Sequence, residues 1–238
     1  MDRLKKYHDE PWHTPKGRLI RDIVYATDGG LITTIAFLAG MTASMVQTQT
    51  VFLAGLIQVI SGSVAVFFGA FISTKAQVDF FTNQIERERR EIIEMPEKET
   101  MEIVEIFQEM GFKDNEIEVV KNRIISDKDL WLKFMIREEI GLIDETMDNP
   151  IFIGFLSGIS YLAGAVPVLL PFWFFPKPLF ALNISLFVCF AFLFFVGIIK
   201  TTITKVRWHV SAIETVVVGI LSAAIGFSLS RLIAHLIK

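Results

Sequence analysis

The chain alternates long apolar stretches with one dense polar stretch. Residues 29–74 contain no Asp, Glu, Lys or Arg. Because a transmembrane helix needs about 20 apolar residues, this stretch is long enough for two helices, and the polar cluster at 44–50 predicts the break between them. Three further apolar segments follow at 151–176, 179–199 and 212–236. The pattern predicts an all-α polytopic membrane protein with five transmembrane helices.

A polar segment, residues 76–149, separates the second apolar helix from the third, and we call it the acidic insert. Residues 79–148 hold twenty Asp and Glu against ten Lys and Arg, in a chain whose formal net charge is −3. The first insert helix continues from the second span and stops before Pro96. The second covers about 97–110, and the third, in one piece or two, covers 114–142. We therefore predict a three-helix insert.

Lys and Arg predict the orientation, because they are enriched in cytoplasmic loops. The N-terminal tail, 1–21, holds six of them and the loop 200–211 holds three, whereas the loop 44–50 holds none. We expect the tail and the acidic insert to face the cytoplasm and the C-terminus to be extracytoplasmic. The predicted domains are the tail, helices one and two at 22–75, the acidic insert, and helices three to five at 150–238.

The composition supports membrane helices combined with one polar module. The chain is 52% hydrophobic and 21% charged, which is too apolar for an ordinary soluble domain and too charged for a bare bundle of spans. The single cysteine, Cys189, excludes an internal disulfide and a cysteine-based zinc site. The N-terminus has no short apolar core followed by a cleavage site, so we expect no signal peptide.

Metal-ligand residues recur at helical spacing in the acidic insert. The groups are Glu88 with Glu91, Glu102 with Glu105 and Glu109, and Met135 with Glu139. Residues three or four apart share a helix face, and carboxylates gathered in this way suit a hard divalent cation, while a thioether favours softer transition metals. The alternative is a solvated face paired with neighbouring arginines. The twofold excess of acid favours the metal site.

Two acidic residues lie at or inside the predicted spans. Asp28 opens the first span, where it either caps the helix or acts as an ion ligand at the mouth of a transport pathway. Glu214 lies about one turn inside the fifth span, where it is either a pathway carboxylate or an interfacial residue paired with Arg207. The sequence leaves both alternatives open.

Several functional classes lack their motifs. The chain has no Gly-rich phosphate-binding loop, no Glu-x-x-His motif of di-iron carboxylate proteins and no acid–base–nucleophile set. The acidic insert has the wrong charge to bind nucleic acid. We expect a protein that is not an enzyme, with no organic cofactor and no nucleic-acid partner.

Three strings resemble the vacuolar iron transporter family. They are "DGGLITTIAFLAG" at 28–40, "ERERREIIEMPEKE" at 86–99 and "LWLKFMIREEIGL" at 130–142. The order of parts is similar as well, and the resemblance extends from about Arg18 onward. It implies a homodimer in lipid that exchanges Fe²⁺ or Mn²⁺ for protons, with the acidic insert gathering metal at the cytoplasmic entrance.

The resemblance also implies metal-site positions. They are Glu88, Glu91, Met135 and Glu139, with Asp79 as a partial substitute where the family carries a further Glu. Carboxylate and thioether ligands bind Co²⁺ and Zn²⁺ as well as Fe²⁺ and Mn²⁺. The sequence therefore does not select one metal or one cellular membrane.

The resemblance is weakest inside the membrane. Val66 and Ala70 stand where the family usually carries Met and Glu, and Gly29 occupies the family's Asp position, with Asp28 one residue earlier. An apolar pathway does not compensate for the water that a divalent ion must lose. Two hypotheses remain. The first is a proton-coupled exporter of metal from the cytoplasm. The second is a metal-sensing or scaffold relative that transports poorly or moves another substrate.

Overall fold

The computed structural model describes residues 16–44, 47–141, 148–204 and 206–236. Over these ranges the chain forms helices and no β-strand. The helices are α1 Lys16–Ala43, α2 Thr48–Glu94, α3 Pro96–Glu109, α4 Asp114–Ile125, α5 Lys128–Glu138, α6 Pro150–Leu169, α7 Pro171–Phe174, α8 Pro178–Thr204 and α9 Trp208–Leu236. The chain divides into two compact units: the bundle unit, up to Ile72 and from Pro150 onward, and the insert unit, Ser73–Asn149.

Within the described ranges, five helices are long and apolar enough to cross a membrane: α1, α2, α6 continued by α7, α8 and α9. This confirms the five predicted spans, and α1 ends at Ala43 and α2 begins at Thr48, beside and inside the predicted polar cluster. The 47 residues of α2 extend about 70 Å at 1.5 Å per residue. This length is more than twice the hydrocarbon thickness of about 30 Å, so only part of α2 is needed to span.

Glycines bring α1 and α6 into backbone contact. A Cβ atom on Gly30 would overlap the backbone oxygen of Tyr161, and one on Gly164 would overlap the backbone oxygen of Thr27. Small residues allow this close approach, which is a main source of helix association in membranes. The surrounding core is formed by buried side chains that include Leu31, Ile35, Leu38, Val168 and Leu193.

Large apolar side chains of the bundle unit point outward. Phe187 and Leu179 expose 73% and 70% of their surface, whereas Ser157 and Ser160 are buried. Lipid tails are as apolar as these side chains, so burial against protein gives no hydrophobic gain in a membrane. The bundle unit is therefore built for a lipid environment.

A polar network joins three helices inside the bundle unit. Gln58 on α2 donates its side-chain amide to the Tyr161 hydroxyl on α6 at 2.8 Å. Thr33 on α1 shares a hydrogen bond with the same hydroxyl at 2.8 Å, and Thr34 donates to Gln58 Oε1 at 3.3 Å. Side-chain hydrogen bonds of this kind tie membrane helices together. The sequence did not predict the network, because its members are scattered over three helices.

The first two helices of the insert unit end at the proline and the glycine that the sequence predicted as helix boundaries. α2 ends at Glu94 and Pro96 begins α3, since proline at a first helical position has no N–H to lose. α3 ends before Gly111, whose φ is 87°. The N–H of Phe112 donates to the Phe107 oxygen at 3.0 Å, which is the pattern of a Schellman ending with a left-handed residue.

The third predicted insert helix consists of two helices, α4 and α5. The Asp127 side chain accepts hydrogen bonds from the backbone N–H groups of Asp129 and Leu130 at 3.0 and 3.3 Å, and this N-cap starts α5. The end of α2 and each of the helices α3, α4 and α5 contribute side chains to one apolar core. Its buried members are Ile92, Ile103, Phe107, Ile117, Ile124, Trp131 and Met135.

Candidate metal centre

Three helices of the insert unit carry an apolar stripe that begins or ends in a carboxylate. The stripes are Glu88–Ile92 in α2, Glu99–Ile103–Phe107 in α3 and Trp131–Met135–Glu139 along α5. Positions four apart lie on one helix face, and the apolar members of each stripe are buried in the insert core. The packing that buries these residues therefore also positions the carboxylates. Glu139 itself is the C-cap residue of α5.

Glu88, Glu99 and Glu139 converge, and we call them the carboxylate cluster. One carboxylate oxygen of each lies within 4.8 Å of the other two. Glu88 is 3% exposed and Glu99 is 0% exposed, whereas Glu139 is exposed. The cluster therefore has a buried side and an open side, so that an ion can reach it from the side of Glu139.

The buried oxygens of the cluster lack hydrogen-bond partners. Within the described ranges, Glu88 Oε1 and both carboxylate oxygens of Glu99 accept no hydrogen bond from an amide, hydroxyl or basic group, although Lys98 Nζ lies 3.5 Å from Glu99 Oε1. A buried carboxylate without a partner is strongly unfavourable, so it is protonated, paired with a charge or bound to a cation. Three converging carboxylates of this kind suit a divalent cation.

The surroundings of the cluster disfavour its negative charge. Burial raises the pKa of Glu99 and the pKa of Glu139 above the usual carboxyl range. A hydrogen bond with the Glu88 carboxyl and the positive charge of Lys98 lower both pKa values, and the negative charges of Glu102 and Glu91 raise them. Like charges that lie close together resist ionisation, and a bound cation removes this resistance. We therefore expect metal binding at the cluster to release protons.

Comparison with known families identifies the family to which the chain belongs. A sequence model described as the VIT family matches residues 20–231. The match includes the bundle helices and the whole insert unit. The chain belongs to the VIT family. The vacuolar iron transporter resemblance of the three strings is thereby confirmed.

Similar proteins of known name include two transporters. Vacuolar iron transporter 1 of Arabidopsis thaliana is 29% identical over 232 residues, which cover 98% of this chain and 92% of that protein. Vacuolar iron transporter 2 of Oryza sativa subsp. japonica is 30% identical over 219 residues, covering 92% and 89%. Protein CCC1 of Saccharomyces cerevisiae is 26% identical over 225 residues, covering 91% and 69%. VIT-family members are named as transporters and not as enzymes.

Met135, which the family resemblance implied as a metal ligand, is fully buried in the insert core. It lies one turn before Glu139, and the Met135 backbone oxygen accepts the Glu139 N–H at 2.9 Å. Asp79 and Glu105, two further candidates, are exposed and do not belong to the carboxylate cluster. The metal-binding role of all three residues stays a prediction.

Glu91 and Glu102 flank the cluster and form ion pairs. Glu91 accepts a hydrogen bond from Arg87 Nε at 2.9 Å, and Glu102 lies 2.8 Å from Lys98 Nζ. Their side chains are 17% and 27% exposed. Both were predicted as metal ligands, and the structure places them beside the cluster with a basic partner each.

Sequence reasoning missed Glu99, the most buried acid among the described residues of the insert unit. It compared the spacing of acids with one another and so selected Glu102 and Glu105 on α3. The informative spacing was that between Glu99 and the apolar positions Ile103 and Phe107, four and eight residues later. An acid at an apolar position of a helix stripe is buried when that stripe packs.

Asp28, the predicted pathway residue of this VIT-family chain, lies inside α1. The idea that it caps an irregular helix start is wrong, because α1 begins at Lys16 and remains helical through Gly29 and Gly30. Asp28 Oδ1 is buried and forms no hydrogen bond within the described ranges. An ionisable group inside a membrane helix is a candidate functional residue, and its pathway role stays a prediction.

Glu214, the second predicted pathway residue, lies on α9 with 68% of its side chain exposed. The sequence suggested Arg207 as a partner, but the ion pair that forms is with Lys200, whose Nζ lies 4.0 Å from Glu214 Oε2. Val66 packs half-buried against the bundle core, and Ala70 is half-buried as well. The pathway role of Glu214 also stays a prediction.

Proposed function

We propose that this protein moves Fe²⁺ or Mn²⁺ out of the cytoplasm in exchange for protons. The observation that carries the proposal is the carboxylate cluster, buried and unpartnered, in a chain of the VIT family. The same proposal includes a homodimer in the membrane, a cytoplasmic N-terminus and insert unit, and an extracytoplasmic C-terminus. The placement of the N-terminus, the insert unit and the C-terminus rests on the distribution of Lys and Arg.

The insert unit captures the ion at the cytoplasmic entrance. Its excess negative charge raises the local concentration of divalent cations and speeds their arrival. An arriving ion reaches the cluster from the exposed side of Glu139 and displaces protons from it, since burial raises the pKa values of its carboxyl groups. Oxygen donors accept Mn²⁺ and Fe²⁺, and the same donors also accept Co²⁺ and Zn²⁺.

Asp28 acts within the bundle unit, as the carboxylate that an ion or a proton meets inside the membrane. Its buried, unpartnered Oδ1 supports this role, because a charge without a partner in such surroundings is unfavourable unless a cation arrives. Glu214 is a weaker candidate for the same pathway, since its exposed side chain already lies beside Lys200.

A second function is favoured by one observation. α2 carries Val66 and Ala70 rather than metal ligands, and the polar side chains of the nearby network already bond one another. A bundle of this composition offers a dehydrated ion few ligands. The alternative is therefore a metal-sensing or scaffold protein that binds metal in the insert unit and transports little.

Uptake of Mn²⁺ and Fe²⁺ into proteoliposomes under an imposed pH gradient tests the proposal. We expect the parent protein to take up metal only with the gradient and Asp28→Ala to abolish the uptake. The double variant Glu88→Gln/Glu99→Gln should lose uptake at low metal concentration and regain part of it at high concentration, because capture and not passage is impaired. Glu109→Gln, on the exposed end of α3, is the matched control and should behave like the parent.

Metal binding measured by calorimetry on the same preparation distinguishes the two functions. If the parent protein binds Mn²⁺ and transports none, the transporter proposal is wrong and the metal-binding alternative holds. If Asp28→Ala transports at the parent rate, Asp28 is not a pathway residue.

A further inference from the structure

The two helices that supply Glu88 and Glu99 carry the same five-residue pattern. Residues 87–91 read Arg-Glu-Arg-Arg-Glu, and residues 98–102 read Lys-Glu-Thr-Met-Glu. In each pattern a basic residue comes first, a buried cluster carboxylate follows it, and a second carboxylate comes three residues later. The pattern therefore places one basic side chain and one further acid beside each buried ligand.

The two basic residues also make the same contact. Arg87 Nε lies 2.9 Å from Glu91 Oε1, and Lys98 Nζ lies 2.8 Å from Glu102 Oε1 and 3.5 Å from Glu99 Oε1. The basic side chains are 63% and 55% exposed, whereas Glu91 and Glu102 are largely covered. The positive charges are therefore more exposed to solvent than the acids with which they pair.

Helix stability does not explain this arrangement. An i,i+4 ion pair is more favourable when the acid precedes the base, and here the base precedes the acid in both helices. Exposed pairs of this kind contribute little to stability in any case. What the pairs do achieve is to neutralise two acids beside a cluster whose own charge is unbalanced.

We propose that Arg87 and Lys98 are resident counter-cations of the carboxylate cluster. They hold Glu91 and Glu102 while the cluster is empty, and a divalent ion displaces them when it binds. The inference rests on the proposed capture of metal by the insert unit and adds to it how the affinity is set. Entry of the ion then replaces two singly charged side chains by one divalent ion and frees two acids as additional ligands.

This exchange lowers the affinity of the cluster, because the ion must compete with two built-in positive charges. A transporter gains from such a limit, since an ion held too tightly at an entrance does not leave it. Removing one counter-cation should therefore strengthen metal binding. The same change should lower the thermal stability of the metal-free protein, because its acids lose their neutralising charge.

Titration of Mn²⁺ into the full-length protein in detergent, followed by calorimetry, tests the inference. We expect Lys98→Gln and Arg87→Gln each to bind Mn²⁺ roughly three- to tenfold more tightly than the parent, from the repulsion that a unit charge exerts on a divalent ion at partly exposed distances. Both variants should also melt at a lower temperature without metal. Lys98→Arg keeps the charge and should restore the parent affinity.

Lys128→Gln is the matched control. It removes the same charge from the first residue of α5, which is about 16 Å along the helix axis from Glu139. An equal gain in affinity in Lys128→Gln would show a general effect of net charge and overturn the inference. So would unchanged or weaker binding in Lys98→Gln and Arg87→Gln while the parent binds normally. A parent protein that binds no Mn²⁺ refutes the proposed metal capture itself, and the inference with it.

Discussion

The bundle unit and the insert unit differ in the polar side chains that they bury. In the bundle unit, Gln58, Tyr161 and Thr33 bond one another, and large apolar side chains point outward. In the insert unit the apolar side chains form the core. Glu88 and Glu99 lie beside that core with oxygens that have no hydrogen-bond partner within the described ranges.

This difference separates polar groups that hold helices together from polar groups that are ready for a ligand. A satisfied network stabilises one packing arrangement, whereas an unsatisfied buried charge destabilises the protein. Such a charge therefore points to a functional role, although structural ion-pair networks also perturb pKa values. Asp28 resembles the insert carboxylates in this respect, because its Oδ1 is buried and unpartnered. The hydroxyl oxygens of Thr42, Ser185 and Ser211 in the bundle unit also lack a partner, but they carry no charge.

The largest expected effect is that of Glu99→Leu in the insert unit. The leucine continues the apolar stripe of α3, so Mn²⁺ affinity should fall roughly 100-fold or more, given that changes even behind a ligand lower affinity 10- to 100-fold. The free energy of unfolding of the metal-free protein should rise by about 1–3 kcal/mol, because an unsatisfied carboxylate is removed. Calorimetry and thermal unfolding in detergent measure the two effects.

A decrease in metal-free stability for Glu99→Leu would break the comparison, since Glu99 would then be a structural residue like Tyr161. Glu109→Gln, exposed on the same helix, should leave Mn²⁺ affinity and stability close to those of the parent.

The next effect concerns the bundle unit and two adjacent glycines. Gly30→Ala should destabilise the protein by about 1–3 kcal/mol, because its new methyl group overlaps the Tyr161 backbone oxygen and forces α1 and α6 apart. Gly29→Ala is the control, since a Cβ there meets nothing within 4 Å. Thermal unfolding in detergent should separate the two variants, and equal melting temperatures would contradict the close contact between the helices.

The pH dependence of stability should arise in the insert unit. The pKa values of Glu99 and Glu139 are raised in the folded protein, whereas an unfolded carboxyl has a pKa of about 4.3. The folded protein therefore binds more protons, and metal-free stability should fall as the pH rises from about 4 through the raised pKa values. Melting temperatures measured across this range check the sign.

Saturating Mn²⁺ should abolish or reverse this slope, because the bound ion favours the charged carboxylates. Glu99→Leu should flatten the slope of the metal-free protein. A metal-free slope that is unchanged in Glu99→Leu would assign the pH dependence to other groups.

The smallest expected effect is that of Tyr161→Phe in the bundle unit. It removes the hydroxyl that binds Gln58 and Thr33, and membrane hydrogen bonds contribute about 0.6–2 kcal/mol. Thermal unfolding should detect the loss, and Tyr25→Phe, whose side chain is 75% exposed, should show none. Metal binding should be the same in both variants, and a change in Tyr161→Phe would mean that the network does more than hold helices.

The sequence predicted the parts of the fold that depend on local composition. Uninterrupted apolar runs indicated the five spans, charge indicated the insert, and Pro96 indicated the boundary between α2 and α3. Glu99 and the network at Tyr161 could not be predicted in this way, since both depend on which helix faces pack together. Asp28 was predicted at the start of the first span because its charge was interpreted as the boundary of the helix. In the structure, α1 begins twelve residues earlier, at Lys16.

The carboxylate cluster draws its three ligands from three separate helices, and this has a consequence for biosynthesis. A ribosome makes α2 and α3 first, with Glu88 and Glu99, and makes Glu139 at the end of α5. Until α5 has folded against its neighbours, the growing chain holds two donors and no complete site. On the proposed function, a newly made protein therefore binds metal at the cluster only when its insert unit is finished.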